Sequence, residues 1–314
     1  MNRSTRAALV ASLIVIAAGC SSSGSQDPYE IVRKALATPW AQVQVNVGAS
    51  VKSAGATFSL DPSSIQFNVD SMAGKGSVHV ALPAAAMGAN PASLAALGIT
   101  GSTVDFDALY DGQAFYAKSP ILKPVITMIM ATSGDLPEGD LTAWLRLATR
   151  GDLDLLAAAM ASGEAPTPPP LGSFDAATLQ KTLTDSGLTL KFVATDKRNG
   201  TDADHVSVAI DVNKALDSPL FDSARRDQIN QIKEAARNGT ASADLWADHA
   251  SGKLTEVDLH LAATGAEAGS FDVAVTLNPL PAGTSFDAPA GAVDVPARTL
   301  LGQILKMVGQ GLQQ

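Results

Sequence analysis

The sequence predicts an α+β protein built on one large antiparallel β-sheet, with its helices gathered on one face. Three observations carry this. Apolar residues recur with period two in two blocks of the chain, near residues 43–118 and 188–277. The turns inside those blocks are short and rich in Gly, Asp and Asn, which suits hairpins rather than long crossovers. Helical patterns fall before, between and after the blocks, so the helices cover a sheet rather than alternate with its strands.

The chain opens with the layout of a secretory signal peptide over residues 1–19. Arg3 and Arg6 precede an apolar run, Ala7 to Ala18, and Ala17-Ala18-Gly19 leads into Cys20, the only cysteine. Small residues before a cysteine suit a lipoprotein-processing peptidase, so Cys20 is expected to become the lipidated first residue of the mature chain. A Leu, Val or Ile is usual three residues before that cysteine; here the position is Ala17, with Ile16 one step earlier. Two other readings are weaker. A plain signal peptide would leave a free thiol in an oxidising compartment. A membrane span needs roughly 20 apolar residues, and this run has about a dozen. Residues 20–27, rich in Ser and Gly, read as a flexible tether.

The elements follow in order. Asp27 to Thr38 reads as a helix, with Ile31, Val32, Ala35 and Leu36 on one face and Pro28 in its first turn. Strands are expected around Val43–Val51, Phe58–Leu60, Ile65–Val69, Val78–Leu82, Val104–Tyr110 and Ala114–Lys118, the last two joined at Asp111-Gly112. Pro83 to Ile99 reads as an Ala-rich connection. A helical and Pro-rich insert spans about 119–187, with helices at Asp140–Thr149, Asp152–Ser162 and Asp175–Ser186, and a stiff linker at Ala165–Pro170. Period two returns with Leu188–Phe192, which pairs with Val206–Val212 across Asn199-Gly200. After a helix at Pro219–Arg237, Ala243 and Leu245 pair with Leu254–Leu261, and Phe271–Leu277 forms a last strand. Residues 296–314 form a C-terminal amphipathic helix carrying Leu300, Leu301, Ile304, Leu305, Val308 and Leu312 on one face.

Composition narrows the function classes. With 46% hydrophobic residues the chain is globular. Its net charge is −9, and loss of Arg3 and Arg6 with the signal peptide would make it more acidic. Such a body does not attract nucleic acid or anionic headgroups. No nucleophile elbow, zinc-protease motif, P-loop or dinucleotide fingerprint is present, and no cofactor is expected. The four histidines, His79, His205, His249 and His260, fall on strands or near turns, where solvated strand faces are the ordinary reading. Asp105, Asp107, Asp111 and Gly112 hint at a calcium loop, but without calcium-loop spacing.

One apolar excess stands out. Ile121, Val125, Met128, Ile129 and Met130 lie in a stretch too apolar for a surface loop, and Pro120 and Pro124 argue against a regular core helix there. Ordinary core packing is one reading. The other is a cavity lining whose flexible Met side chains adapt to acyl chains, extended by Leu145, Leu156, Met160, Leu179 and Leu183 of the same insert.

Two hairpins carry a family resemblance. Asp111-Gly112-Gln113-Ala114-Phe115-Tyr116-Ala117-Lys118 is similar to a hairpin of the LppX/LprA/LprF/LprG-type lipoproteins of actinobacteria, relatives of the LolA- and LolB-like half-barrels. Asp244-Leu245-Trp246-Ala247-Asp248, followed by Ser251-Gly252-Lys253-Leu254, is similar to another. The resemblance implies a curved half-barrel sheet with helices on its concave face over residues 28–295. It implies no catalytic residues. It implies binding of lipid or lipoglycan acyl chains in a hydrophobic cavity and their carriage or presentation across the envelope. The protein would then be a monomer, held by lipidated Cys20 on the extracytoplasmic side of the cell membrane, with a membrane transporter as a further partner. Two other readings stay open: a scaffold lipoprotein with a filled core and no ligand, and a hydrolase with His205 or His249 beside a serine.

Overall fold

The computed structural model describes residues 27–37, 40–53, 56–84, 95, 99, 101–130, 137–154, 171–198, 200–217, 239–263 and 269–296. The expected signal peptide, Cys20 and most of its tether lie outside these residues, as do most of the 83–99 connection, Leu156 and Met160. So do the Pro-rich linker, the 219–237 helix and residues 297–314.

Among the described residues thirteen strands form one sheet. They are β1 (Gln42–Ser53), β2 (Ala56–Leu60), β3 (Ile65–Asp70), β4 (Lys75–Pro83), β5 (Thr103–Tyr110), β6 (Ala114–Lys118), β7 (Leu145–Thr149), β8 (Leu188–Arg198), β9 (Thr201–Ile210), β10 (Gly239–Asp248), β11 (Leu254–Ala263), β12 (Gly269–Pro279) and β13 (Val293–Asp294). Their order is β13-β7-β6-β5-β4-β3-β1-β12-β11-β10-β9-β8, with β2 paired to β1 alone. The order is open, and hairpin neighbours run antiparallel; the short β13 runs parallel to β7. The helices are α1 (Pro28–Ala37), α2 (Leu122–Met130), α3 (Ala176–Asp185) and α4 (Val212–Asp217). The α+β class with a single large sheet is therefore observed. The chain divides into two compact units, the first comprising Met1–Trp40, Val45–Ser63 and Ala165–Asn278, the second Ala41–Gln44, Ser64–Glu164 and Pro279–Gln314.

In the first unit the hairpin β8–β9 pairs Leu190 with Val208 and Phe192 with Val206. Strand β10 continues the rows, with Ala243 opposite Val208 and Leu245 opposite Val206. On its other side Ala243 faces Leu259 and Leu245 faces Val257, and these meet Val273 and Val275 of β12. Period two thus places one apolar face under α1 and α3. Helix α1 buries Tyr29, Ile31, Val32 and Ala35. Helix α3 buries Leu179 and Leu183, and Asp175 caps it by accepting from the Thr178 amide at 2.7 Å. Two glycines allow close backbone contact at the ends of these helices. A Cβ at Gly172 would stand 2.4 Å from the Leu36 carbonyl oxygen, so only glycine lets that turn press on the end of α1. Gly187 ends α3 with φ +79°, and a Cβ there would be 2.6 Å from the Lys214 Cβ. Val212, expected to extend the strand, instead opens α4, because Asp211 takes the Lys214 amide at 3.1 Å and turns the chain.

The second unit corrects two expectations. Residues 140–149 are not a helix. Asp140 accepts from the amide and hydroxyl of Thr142, which closes a turn, and Leu145–Thr149 is the strand β7. Across β6, Phe115 pairs with Ala148 but Tyr116 pairs with Arg146, so Leu147 is an extra residue. That bulge brings Leu145 and Ala148 to one buried face, an i, i+3 spacing that imitates a helix. The second correction is α2, a regular helix despite Pro124. The proline sits in its first turn, where an amide has no partner inside the helix, so the missing N–H is harmless. Ile126 and Met130 of α2 pack with Leu145 and Val295. Phe286 packs against Leu109, Ala114 and Tyr116, which ties down the segment leading to β13. At the β5–β6 turn Asp111 accepts from the amides of Gln113 and Ala114 and from the Tyr116 hydroxyl. Burial pushes its carboxyl up, but these donors outweigh that and hold it below the usual range.

Asp175→Ala removes the α3 cap and should lower stability by about 1 kcal/mol in denaturant titration. Gly187→Ala meets both the positive φ and the Lys214 contact, so its loss should be the larger of the two.

Candidate ligand-binding cavity

The first unit contains a cavity of about 110 Å³ between α1, α3 and the covered face of β8–β12. Helix α1 contributes Ile31, Val32, Ala35 and Leu36 to its wall, and α3 contributes Leu183. The floor comes from in-phase strand residues, among them Val206, Val208, Ala243, Leu245, Leu259 and Val273. The helix–sheet contact is pinned where the Leu190 amide donates to the Tyr29 hydroxyl at 3.4 Å. At the β10–β11 turn Trp40 Nε1 donates to the Leu254 carbonyl at 3.1 Å, and the Lys253 ammonium lies 4.5 Å from the Trp40 ring centroid.

One charged residue enters this wall. Asp204 is 8% exposed and stands in phase with Val206 and Val208 on β9. Its Oδ1 accepts from Thr195 Oγ1 at 2.8 Å and bonds His249 Nδ1 at 2.9 Å. That hydrogen bond, with the charge of Asp204 behind it, raises the His249 pKa above the ordinary histidine value. A charge in phase with an apolar strand face is a signal the sequence held; the alternation rule alone passed over it.

The opposite face of the same strands is polar. His205 stacks on Trp246 at 4.5 Å between centroids, and Arg198 covers the same ring at 4.1 Å. His205 Nε2 bonds Asp244 at 2.7 Å. His260 on β11 bonds Asp272 on β12, and in the second unit His79 on β4 bonds Asp107 on β5. Each of the four histidines is thus hydrogen-bonded to an aspartate. His205 and His249 bond carboxylates, not serines. Among the described residues no group of three or more His, Cys, Asp or Glu could hold a metal ion, and Asp107 and Asp111 are occupied as above.

The residues singled out from sequence go to different places. Leu183 lines the cavity, and Leu179 is fully buried on the same helix. Ile126, Met130 and Leu145 form a cluster of the second unit, where Ile129 is also buried. Ile121 packs against Ala84, Ile99 and Val104. Val125 and Met128 are exposed, Met128 at 65%. The lining residues of α1 and of β9–β12 carried no cavity reading in the sequence.

The chain matches no protein-family model and no curated protein. It is similar to the crystal structure of LprF from Mycobacterium bovis, with 12% identity and a TM-score of 0.37, covering 87% of this chain and all of the other. It is similar to the lipoprotein LppX of Mycobacterium tuberculosis, with 11% identity and a TM-score of 0.31, covering 90% and 99%. A LolA superfamily protein from Nitrosomonas europaea aligns at 10% identity and a TM-score of 0.20, covering 85% and 96%. LprF and LppX are names from the group that the two hairpins resemble.

The His249–Asp204 pair gives a pH dependence with a fixed sign. A raised histidine pKa contributes stability that is full below the unfolded value and is lost as pH rises through the folded one. Between about pH 6 and about pH 8, wild type should therefore lose more melting temperature than His249→Gln. Equal losses would show that the pair contributes nothing.

Proposed function

We propose that this protein binds acyl chains in the first-unit cavity and works as a lipid-anchored carrier on the extracytoplasmic side of the membrane. The observation that supports this best is the lining: of nineteen residues, all but Asp204 are apolar. Such a wall has no polar code for a soluble metabolite. It favours methylenes, each contributing about 0.8 kcal/mol when taken out of water. The size of the cavity bears on how it loads. At about 110 Å³ it is smaller than the roughly 150 Å³ apolar cavity that admits benzene. It holds a short stretch of chain as it stands, and a longer one enters as α1 and α3 move away from the sheet.

The anchor is part of the same proposal. No helix of the described residues is long and apolar enough to cross a membrane. Attachment is assigned to Cys20, whose diacylglycerol would keep an acidic body beside the bilayer that supplies its ligand. A membrane transporter is the proposed exchange partner, and the carrier acts as a monomer.

Two experiments test this. Lipids extracted from the purified protein are identified by mass spectrometry, and uptake of a fluorescent acyl probe is titrated. Ala243→Phe places a ring in the cavity floor and should weaken probe binding at least about tenfold while the fold persists. Absence of both co-purified lipid and probe uptake in wild type would sink the carrier reading. For the anchor, Cys20→Ser should move the protein from the membrane fraction to the soluble fraction; retention on membranes would remove Cys20 from that role.

A further inference from the structure

We infer that Asp204 reads the head of the bound lipid, selecting an uncharged, hydroxyl-bearing head over an anionic one and setting which end of the ligand lies by the hairpin tips. This rests on the reading of the cavity as an acyl-chain site. Position comes first. Asp204 lies toward the β8–β9 turn, two residues before Val206 in the same row, so it marks one end of an apolar floor that runs on through Val206 and Val208. A ligand with one polar end and one apolar end fits that floor in a single direction.

The carboxylate is held for the task. Oδ1 is occupied by Thr195 Oγ1 and His249 Nδ1, which fix the side chain and offset its burial. Oδ2 receives no hydrogen bond from the described residues, and it is not among their buried unsatisfied atoms. It is a pre-oriented acceptor at the edge of the lining, and its natural partner is a hydroxyl proton.

Charge sets the selectivity. The same end of the hairpins carries Asp202, paired with Lys197 at 2.8 Å, and Asp248, which accepts from Ser251 Oγ at 2.6 Å. Lys253 adjoins the lining residue Leu254 in the chain, but its ammonium lies over the Trp40 ring and is not part of the lining. His249, bonded to Asp204 Oδ1 and raised in pKa, offsets this charge while it is protonated; once it is neutral, a fatty-acid carboxylate or a phosphate entering here meets the Asp204 carboxylate with like charge. A glycerol or sugar hydroxyl meets an acceptor.

The test uses the full chain carrying Cys20→Ser and two probes with the same tail, monoolein and oleate. Each displaces a fluorescent acyl probe at about pH 9, above the range in which His249 holds its proton, so that Asp204 carries its charge unopposed. Wild type should prefer monoolein by at least about tenfold. Asp204→Asn keeps the shape and removes the charge, and it should cut the preference to about threefold or less, chiefly by gaining oleate affinity. Asp204→Glu keeps the charge and should keep the preference. The wild-type comparison needs no variant, so a poorly folding mutant leaves the inference testable. Equal affinity of wild type for the two probes, or an unchanged ratio in Asp204→Asn, overturns the role of Asp204 and leaves the carrier reading standing. Failure of both probes to bind wild type overturns both.

Discussion

The constraint on which the first unit depends is the two-residue pleat of β8–β12. It sends Val206, Val208, Leu245, Leu259 and Val273 to one face and His205, Trp246, Asp258 and Asp272 to the other. The apolar face must be covered, and α1 and α3 cover it. Backbone contact at their ends is close. Gly172 lets its turn touch the end of α1, and Gly187 lets α3 stop against α4. These close contacts fix the ends of α1 and α3 that border the cavity.

The polar face meets a different requirement. Trp246 is 5% exposed on a face that otherwise carries charge, and among the described residues His205 and Arg198 cover its ring. Histidine–aspartate pairs recur across this face, linking β9 to β10 and β11 to β12. Cross-strand pairs of this kind hold neighbouring strands in register without adding apolar surface, and register matters here because a one-residue slip would turn the cavity floor outward.

How much of this was legible follows from where the information lies. The hairpins β5–β6, β8–β9 and β10–β11 could be read because alternation and turn chemistry sit next to one another in the chain. So could α1 and the Asp175 cap. Strand β7 could not. Its bulge at Leu147 puts Leu145 and Ala148 on one face, and that spacing belongs equally to a helix. Helix α2 departs from the expectation at Pro124 because the rule against helical proline lapses in a first turn. The cavity was the hardest to see. Its wall comes from residues 31–36, 183–210, 243–259 and 273–275, and only tertiary contact brings them together. The Met-rich stretch drew attention through local composition, while the lining is made of ordinary Val, Leu and Ala. Asp204 breaks the apolar phase of β9, a local signal that alternation of its neighbours conceals, and its partner His249 lies forty-five residues on.

The persistence of the cavity is itself an argument. A void of about 110 Å³ in an apolar wall forfeits contacts worth on the order of 3 kcal/mol at the usual slope for cavities. That is a large share of the stability of a folded domain. The remedy lies within reach of single substitutions, because Ala35, Ala243 and Ala247 all border the space and a larger apolar side chain at any of them would occupy part of it. The chain instead keeps small residues at all three and places a carboxylate, held by two partners, at one end. Packing alone favours neither choice. Both choices suit the acyl-chain site proposed above.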